Sequence, residues 1–188
     1  FWVPLICVFS GMRLNEACGL AIADLKTDGD IAYLHLREDR GRGLKTTASR
    51  RKVPVHRALI ELGLLDQVAA WGRAGQDRFF PSLTPRRGYY SAAASKLFNR
   101  WIERIVDPDP DEPGKLVFHS TRHTVISRLR AADVRQDVAQ EIVGHEHDSV
   151  HASYGKFDLQ TLKANVDRVD YPGLDLSRLI PAPGGTRT

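Results

Sequence analysis

Apolar positions recur at two periods along this chain, and the switch between them marks where helices give way to strands. Residues 2–9, WVPLICVF, are almost uninterruptedly apolar. They predict a buried helix ended by the turn Ser10-Gly11. Asn15-Glu-Ala-Cys-Gly-Leu20 predicts a second, short helix with Asn15 as its cap, because a short oxygen-bearing side chain can accept from the orphan N–H groups of a first turn. Alternation then takes over. Ile31, Tyr33, Leu34 and Leu36, behind the turn residues Thr27-Asp-Gly-Asp30, predict a strand–turn–strand unit. A glycine-rich basic stretch, DRGRGLKTTASRR, leads to a third strand at Lys52-Val-Pro-Val-His56, giving a small antiparallel sheet with a basic edge.

The helical period returns over 57–73, where Leu59, Leu62, Leu65, Val68 and Ala69 share a face, and over 91–106, where Ala94, Leu97, Trp101, Ile102 and Ile105 do so. The acidic, proline-rich segment 107–114, DPDPDEPG, predicts a loop or hinge. Helices are expected at 120–131, 135–143 and 158–168, and a loose tail at 181–188. The pattern predicts a mainly α fold with a small antiparallel β-sheet, an α+β domain spanning residues 1–180. The chain opens on Phe1-Trp-Val-Pro, already apolar and without a cap, so an upstream domain is expected before it.

Composition narrows the class. Of 188 residues, 42% are hydrophobic and 27% charged, as in a soluble globular protein. Cys7 and Cys18 form no CxxC pair and sit among apolar residues, so they read as reduced core thiols of a cytosolic protein. No apolar run reaches the roughly 20 residues needed to span a bilayer, so no membrane partner is expected. The net charge of +4 is unevenly spread. From His35 to Arg57, eight lysines and arginines face only Glu38 and Asp39, so this segment carries +6 and the remainder −2. Such a run is either a solvated face or a surface for a polyanion, a phosphate backbone above all.

Seven histidines invite a metal reading. His119 and His123 are four apart, but the intervening residues are Ser-Thr-Arg with no glutamate, and Arg122 sets a fixed cation beside any metal. His145, His147 and His151 lack cysteine partners or tight ligand spacing, so no metal is expected and no role is assigned to His147 or His151. Charge gives a better account. In FHSTRH (118–123), His119 and Arg122 are three apart and share a helix face. The planar fork of an arginine can hold two oxygens of one phosphate. Gly11-Met-Arg13, the basic loop around Lys45, and Gly144-His145 followed nine residues later by Tyr154 extend the same theme.

These boxes together resemble the catalytic domain of the tyrosine recombinases, the phage-integrase family. SGMRLNEACGL (10–20) resembles the first-arginine box, implying Arg13 as catalytic and Glu16 as its support. LKTTASRRKVPVH (44–56) is similar to the hairpin that carries a catalytic lysine, here Lys45. HSTRHT (119–124) matches the His-x-x-Arg box, implying His119 and Arg122 as catalytic and His123 as a supporting residue. VGHEHDSVHASYGK (143–156) matches the terminal box, implying His145 and the nucleophile Tyr154. Tyr33, Tyr89, Tyr90 and Tyr171 have no histidine-bearing box upstream. The resemblance spans residues 1 to about 170, with six functional positions in the expected order.

Elementary chemistry agrees with these roles. A tyrosine hydroxyl, with a pKa of about 10, needs a partner to take its proton. Attack on a phosphodiester gathers negative charge that Arg13, Arg122 and His145 can hold, so neither metal nor cofactor is required. Lys45 would protonate the leaving 5′ oxygen, with His119 accepting or orienting the tyrosine proton. Arg42, Arg50, Arg51 and Lys52 read as contacts to the DNA backbone.

The resemblance implies a site-specific DNA recombinase acting through a covalent 3′-phosphotyrosine, the integrase of a prophage or other mobile element. A chromosome-dimer resolvase and a type IB topoisomerase share the chemistry, and a DNA-binding module without catalysis is the alternative from another class. Implied partners are double-stranded DNA and, for the full-length protein, a homotetramer on that DNA; this stretch alone is expected to be monomeric. The implied location is the bacterial cytoplasm, on the nucleoid. Leu159, Leu162, Val166 and Val169 lie at helical spacing after Tyr154 and either complete this domain's core or dock on a neighbouring subunit.

Overall fold

A computed structural model describes residues 1–37, 49–106, 116–145 and 157–180. Helices dominate. They are α1 (Trp2–Ser10), α2 (Leu14–Cys18), α3 (Arg57–Glu61), α4 (Leu64–Arg73), α5 (Ser91–Ile105), α6 (Ser120–Ala131), α7 (Gln136–Val143) and α8 (Leu159–Val166). Between α2 and α3 the strands β1 (Leu25–Asp28), β2 (Ile31–Leu36) and β3 (Arg51–Pro54) form one antiparallel sheet in that order. The α+β class expected from the alternating and helical periods is the class observed. Asp28 pairs with Ile31, which leaves a two-residue turn led by Gly29 at φ 56°. On the other side Leu36 pairs with Arg51 and Tyr33 with Pro54, so β2 is central and largely buried while β1 is an exposed edge.

Among the described residues two apolar clusters make up the interior. One gathers α1, the sheet and α3 to α5 around Ile6, Leu20, Leu34, Leu36, Leu59 and Phe79. The other is built from α6, α7, α8 and the residues after α8, with Val125, Leu129, Ile142, Leu162, Val166 and Val169. They meet where α1 ends. Gly11 caps α1 at φ 64°, and a Cβ there would lie 2.7 Å from Val143 Cγ1 and 3.1 Å from Val125 Cγ1. Only glycine therefore lets the end of α1 approach α6 and α7 this closely.

Four expectations need correction. The single helix over 57–73 is two, because Gly63 at φ 86° breaks the backbone between α3 and α4. Asn15 does not cap its own helix. α2 starts one residue earlier with Arg13 at the cap, and Asn15 Oδ1 accepts instead from the N–H groups of Tyr90 and Ser91 at the start of α5. In α5 the buried row is Ala94 and Phe98, with Phe98 stacked on Phe118 at 4.6 Å. Leu97, Trp101 and Ile105, expected inside, are 43%, 48% and 79% exposed, because that row lies one residue, about 100°, away around the helix. The fourth concerns Arg51 and belongs to the site below.

The segment after Tyr154 resolves in favour of the domain's own core. Leu162, Val166 and Val169 are buried among Val125, Leu129 and Ile142. His56 Nε2 lies 3.0 Å from the Val169 carbonyl while its Nδ1 accepts from Ala58 N–H, and Lys163 Nζ donates to the Val55 carbonyl. Cys7 and Cys18 are buried free thiols. Among the described residues no helix is long and apolar enough to cross a membrane.

Candidate active site

The last turn of a helix leaves carbonyls without intrahelical partners and gathers a partial negative charge. At the end of α7 these are the carbonyls of Ile142, Val143 and Gly144, and each accepts from an arginine. Arg51 Nε donates to Ile142 O at 2.9 Å, and Arg122 Nη1 donates to Val143 O. Gly144 O accepts from Arg13 Nη2 at 3.0 Å and from Arg122 Nη2 at 3.3 Å. Gly144 itself turns away at φ 71°, and the N–H groups of Gly144 and His145 both return to Gln140 O. Three guanidiniums thus converge on one helix end, immediately before His145.

Glu16 organises two of them. As the third residue of α2 it accepts from the Arg13 backbone N–H at 2.9 Å, and its other oxygen accepts from Arg13 Nη1 at 3.0 Å. From the opposite side Arg51 donates Nη2 to Glu16 Oε2 at 3.0 Å and Nη1 to Oε1 at 3.3 Å. Ser49 Oγ adds a further acceptor for Arg13 Nη1. Burial pushes the Glu16 carboxyl up, but the charges and hydrogen bonds of Arg51 and Arg13 outweigh it, and the net shift is downward. Glu16 therefore stays ionised.

Arg122 comes from the first turn of α6 and is 2% exposed, with Nη1 also donating to Gly11 O at 2.6 Å. Burial, reinforced by the charges of Arg13 and Arg51, pushes its pKa down to about 9. Among the described residues three cations face one carboxylate, a surplus of two positive charges that the helix-end carbonyls offset only in part. Such a cluster has the charge to hold an anion. Arg13, whose side chain is 20% exposed, is the guanidinium that solvent reaches.

The histidines lie around this cluster. His145 is half-buried, and its imidazole is pushed down by burial first and then by the charges of Arg122, Arg13, His123 and Arg51. It is thus a neutral hydrogen-bonding group at neutral pH. His119 stands at the cap of α6 and His123 one turn on, both exposed, with ring centroids 5.5 Å apart and edge to face. Of the residues singled out from the sequence, Arg13, Glu16, Arg122 and His145 meet at the end of α7, and His123 lies near enough to bias His145. Lys45, Tyr154 and Arg42 lie outside the described residues.

Arg51 requires correction as a surface contact to DNA. It is 3% exposed, and its guanidinium is engaged by Glu16, Ile142 O and Ser49 O. Its neighbours differ. Arg50 and Lys52 are exposed, the Lys52 ammonium lying 5.1 Å from the Tyr33 ring centroid. The signal was available in the strand period, since alternate residues face opposite sides and Arg51 shares its side with Val53. Ser49 had no such signal. Among the described residues no group of three His, Cys, Asp or Glu could hold a metal ion.

A family model described as the phage integrase family matches residues 3–159. No curated protein and no solved structure matches the chain.

Proposed function

The chain belongs to the phage integrase family, and from that premise we propose that it is a site-specific DNA recombinase in which Arg13 and Arg122 hold a scissile phosphodiester for attack by Tyr154. The observation that carries the reading is the convergence of Arg13 and Arg122 on the Gly144 carbonyl at the end of α7, beside a His145 whose pKa is pushed down. A phosphodiester brings one negative charge and two nonbridging oxygens, and in the transition state those oxygens become more negative. Guanidiniums already fixed by Glu16 and by backbone carbonyls stabilise that charge without reorganising.

In this reading the Tyr154 oxygen bonds to phosphorus as the bond from phosphorus to the 5′ oxygen breaks. The phenol proton passes to His119, the cap residue of α6, three positions before Arg122. Lys45 protonates the leaving 5′ oxygen, and His145 donates a hydrogen bond to a nonbridging oxygen. The products are a 3′-phosphotyrosine and a free 5′ hydroxyl. Attack by the 5′ hydroxyl of a second strand reverses the step and rejoins DNA without ATP. The exposed Arg50 and Lys52, with Arg42, contact the flanking backbone, and the working assembly is a homotetramer on paired duplex sites, as for the integrase of a prophage or other mobile element.

A nicked suicide duplex, from which the 5′ fragment diffuses away, tests the proposal. A covalent protein–DNA adduct is expected from the parent and none from Tyr154→Phe. Equal adduct from both overturns the nucleophile, and binding without adduct favours a DNA-binding module. Strand exchange between two short duplexes separates a recombinase from a topoisomerase, which would only relax supercoils.

A further inference from the structure

Arg51 is the cation that the proposed chemistry leaves without a task, and it is the most thoroughly held of the three. Its Nε reaches the carbonyl of Ile142 while its two Nη groups reach both oxygens of Glu16 and the Ser49 carbonyl. These acceptors belong to α7, to α2 and to the residues that enter β3. Gly144 packs against the same guanidinium: a Cβ there would lie 2.6 Å from Arg51 Nη1 and 2.8 Å from Cζ.

We propose that Arg51 is a positioning residue, which fixes Glu16, and through it Arg13, against the end of α7 so that Arg13 and His145 present one anion site. The proposal rests on the phosphodiester reading of that site. Its physical content is geometric. Glu16 contributes two oxygens, and Arg13 takes one through its guanidinium and the other through its backbone N–H. Without Arg51 the carboxylate has no partner on the α7 side. Arg13 then keeps its bonds to Gly144 O and Ser49 Oγ but loses the anchored carboxylate that fixes its guanidinium relative to α7. A lysine cannot replace the fork, because one ammonium does not span Ile142 O and both carboxylate oxygens at once.

The alternative is the ordinary backbone contact that the basic run suggested, and the two make opposite predictions. For Arg51→Lys, adduct formation on the suicide duplex at saturating DNA is expected to fall on the order of 100-fold, as when a preorganised donor is lost. The salt dependence of DNA binding is expected to stay that of the parent, since no phosphate contact is removed. Gly144→Ala, which pushes a methyl into the same guanidinium, is expected to reproduce the loss. A salt dependence lowered by one contact, with the saturated rate intact, would overturn the proposal.

A second readout needs no turnover, so it separates failure of this inference from failure of the phosphodiester reading. The His145 imidazole faces Arg122, Arg13, His123 and Arg51. Its NMR titration is expected to move upward in Arg51→Lys, as Arg13 shifts away from it, whether or not the protein cleaves DNA. An unmoved His145 titration in a folded Arg51→Lys protein overturns the positioning role. A parent protein that forms no adduct while its His145 responds to Arg51 overturns the reaction and leaves the positioning role supported.

Discussion

Arg51 and Lys52 are adjacent on β3 and carry the same charge, yet one is 3% exposed among carbonyls and a carboxylate while the other lies in solvent over an aromatic ring. The difference teaches that a basic run is not one surface. Strand alternation sends its members to opposite faces. The inward cation must be matched group by group, because a buried charge without partners is unstable; the outward one needs nothing but water. In this chain the inward face shapes the proposed site and the outward face is available to a polyanion.

The sharpest way to break the contrast is to remove the carboxylate that makes the inward face possible. Glu16→Ala removes the carboxylate that pairs with Arg13 and Arg51, and losing one partner of a buried pair costs about 3–5 kcal/mol. Urea denaturation should register a loss of that size, and a loss below about 1 kcal/mol, the range of exposed pairs, would show that the cluster is solvated after all.

A smaller effect concerns a buried group that must stay neutral. His56 donates from one ring nitrogen to Val169 O and accepts at the other from Ala58 N–H, so a second proton has no acceptor. Burial pushes its pKa below 6.5, with Lys163 and Arg57 adding to the effect and Asp167 and the Val169 carbonyl opposing it. As pH falls below 6.5, the unfolded chain takes up a proton that the folded chain refuses, so stability declines until the folded-state pKa is passed. The urea midpoint should fall over that window in the parent and fall less in His56→Gln. A parent midpoint that rises on acidification would contradict the neutral assignment.

The smallest stability change belongs to the outward face. Arg50→Ala and Lys52→Ala are each expected to alter stability by no more than about 0.5 kcal/mol. Each should nevertheless lower the slope of log affinity against log salt by about 0.9, the signature of one lost phosphate contact. A slope that does not change would remove the polyanion role from this face.

Much of this was legible in the residues, and the failures share a cause. The order of helices and strands followed from periodicity, because each period is a local property. Arg13 and Glu16 are three apart, so their pairing across the start of α2 is local too. Asn15 defeats the same reasoning, because it caps a helix that begins 76 residues later. The face of α5 is set by where Phe118 stacks on Phe98, and no periodicity within α5 distinguishes the row of Ala94 and Phe98 from the row of Leu97 and Trp101. Arg51 was misplaced for a different reason. Its neighbours' charge drew it to the surface, although alternation along β3 pointed inward.

The acceptors at the heart of the cluster carry a consequence for how this protein can vary. Ile142, Val143 and Gly144 contribute main-chain oxygens, which every amino acid possesses. Replacing the isoleucine or valine by another aliphatic residue erases none of them, so that part of the anion cradle is written in where a helix stops and not in which letters spell it. Drift at these two positions can proceed while the cradle persists, provided the helix ends on the same residue.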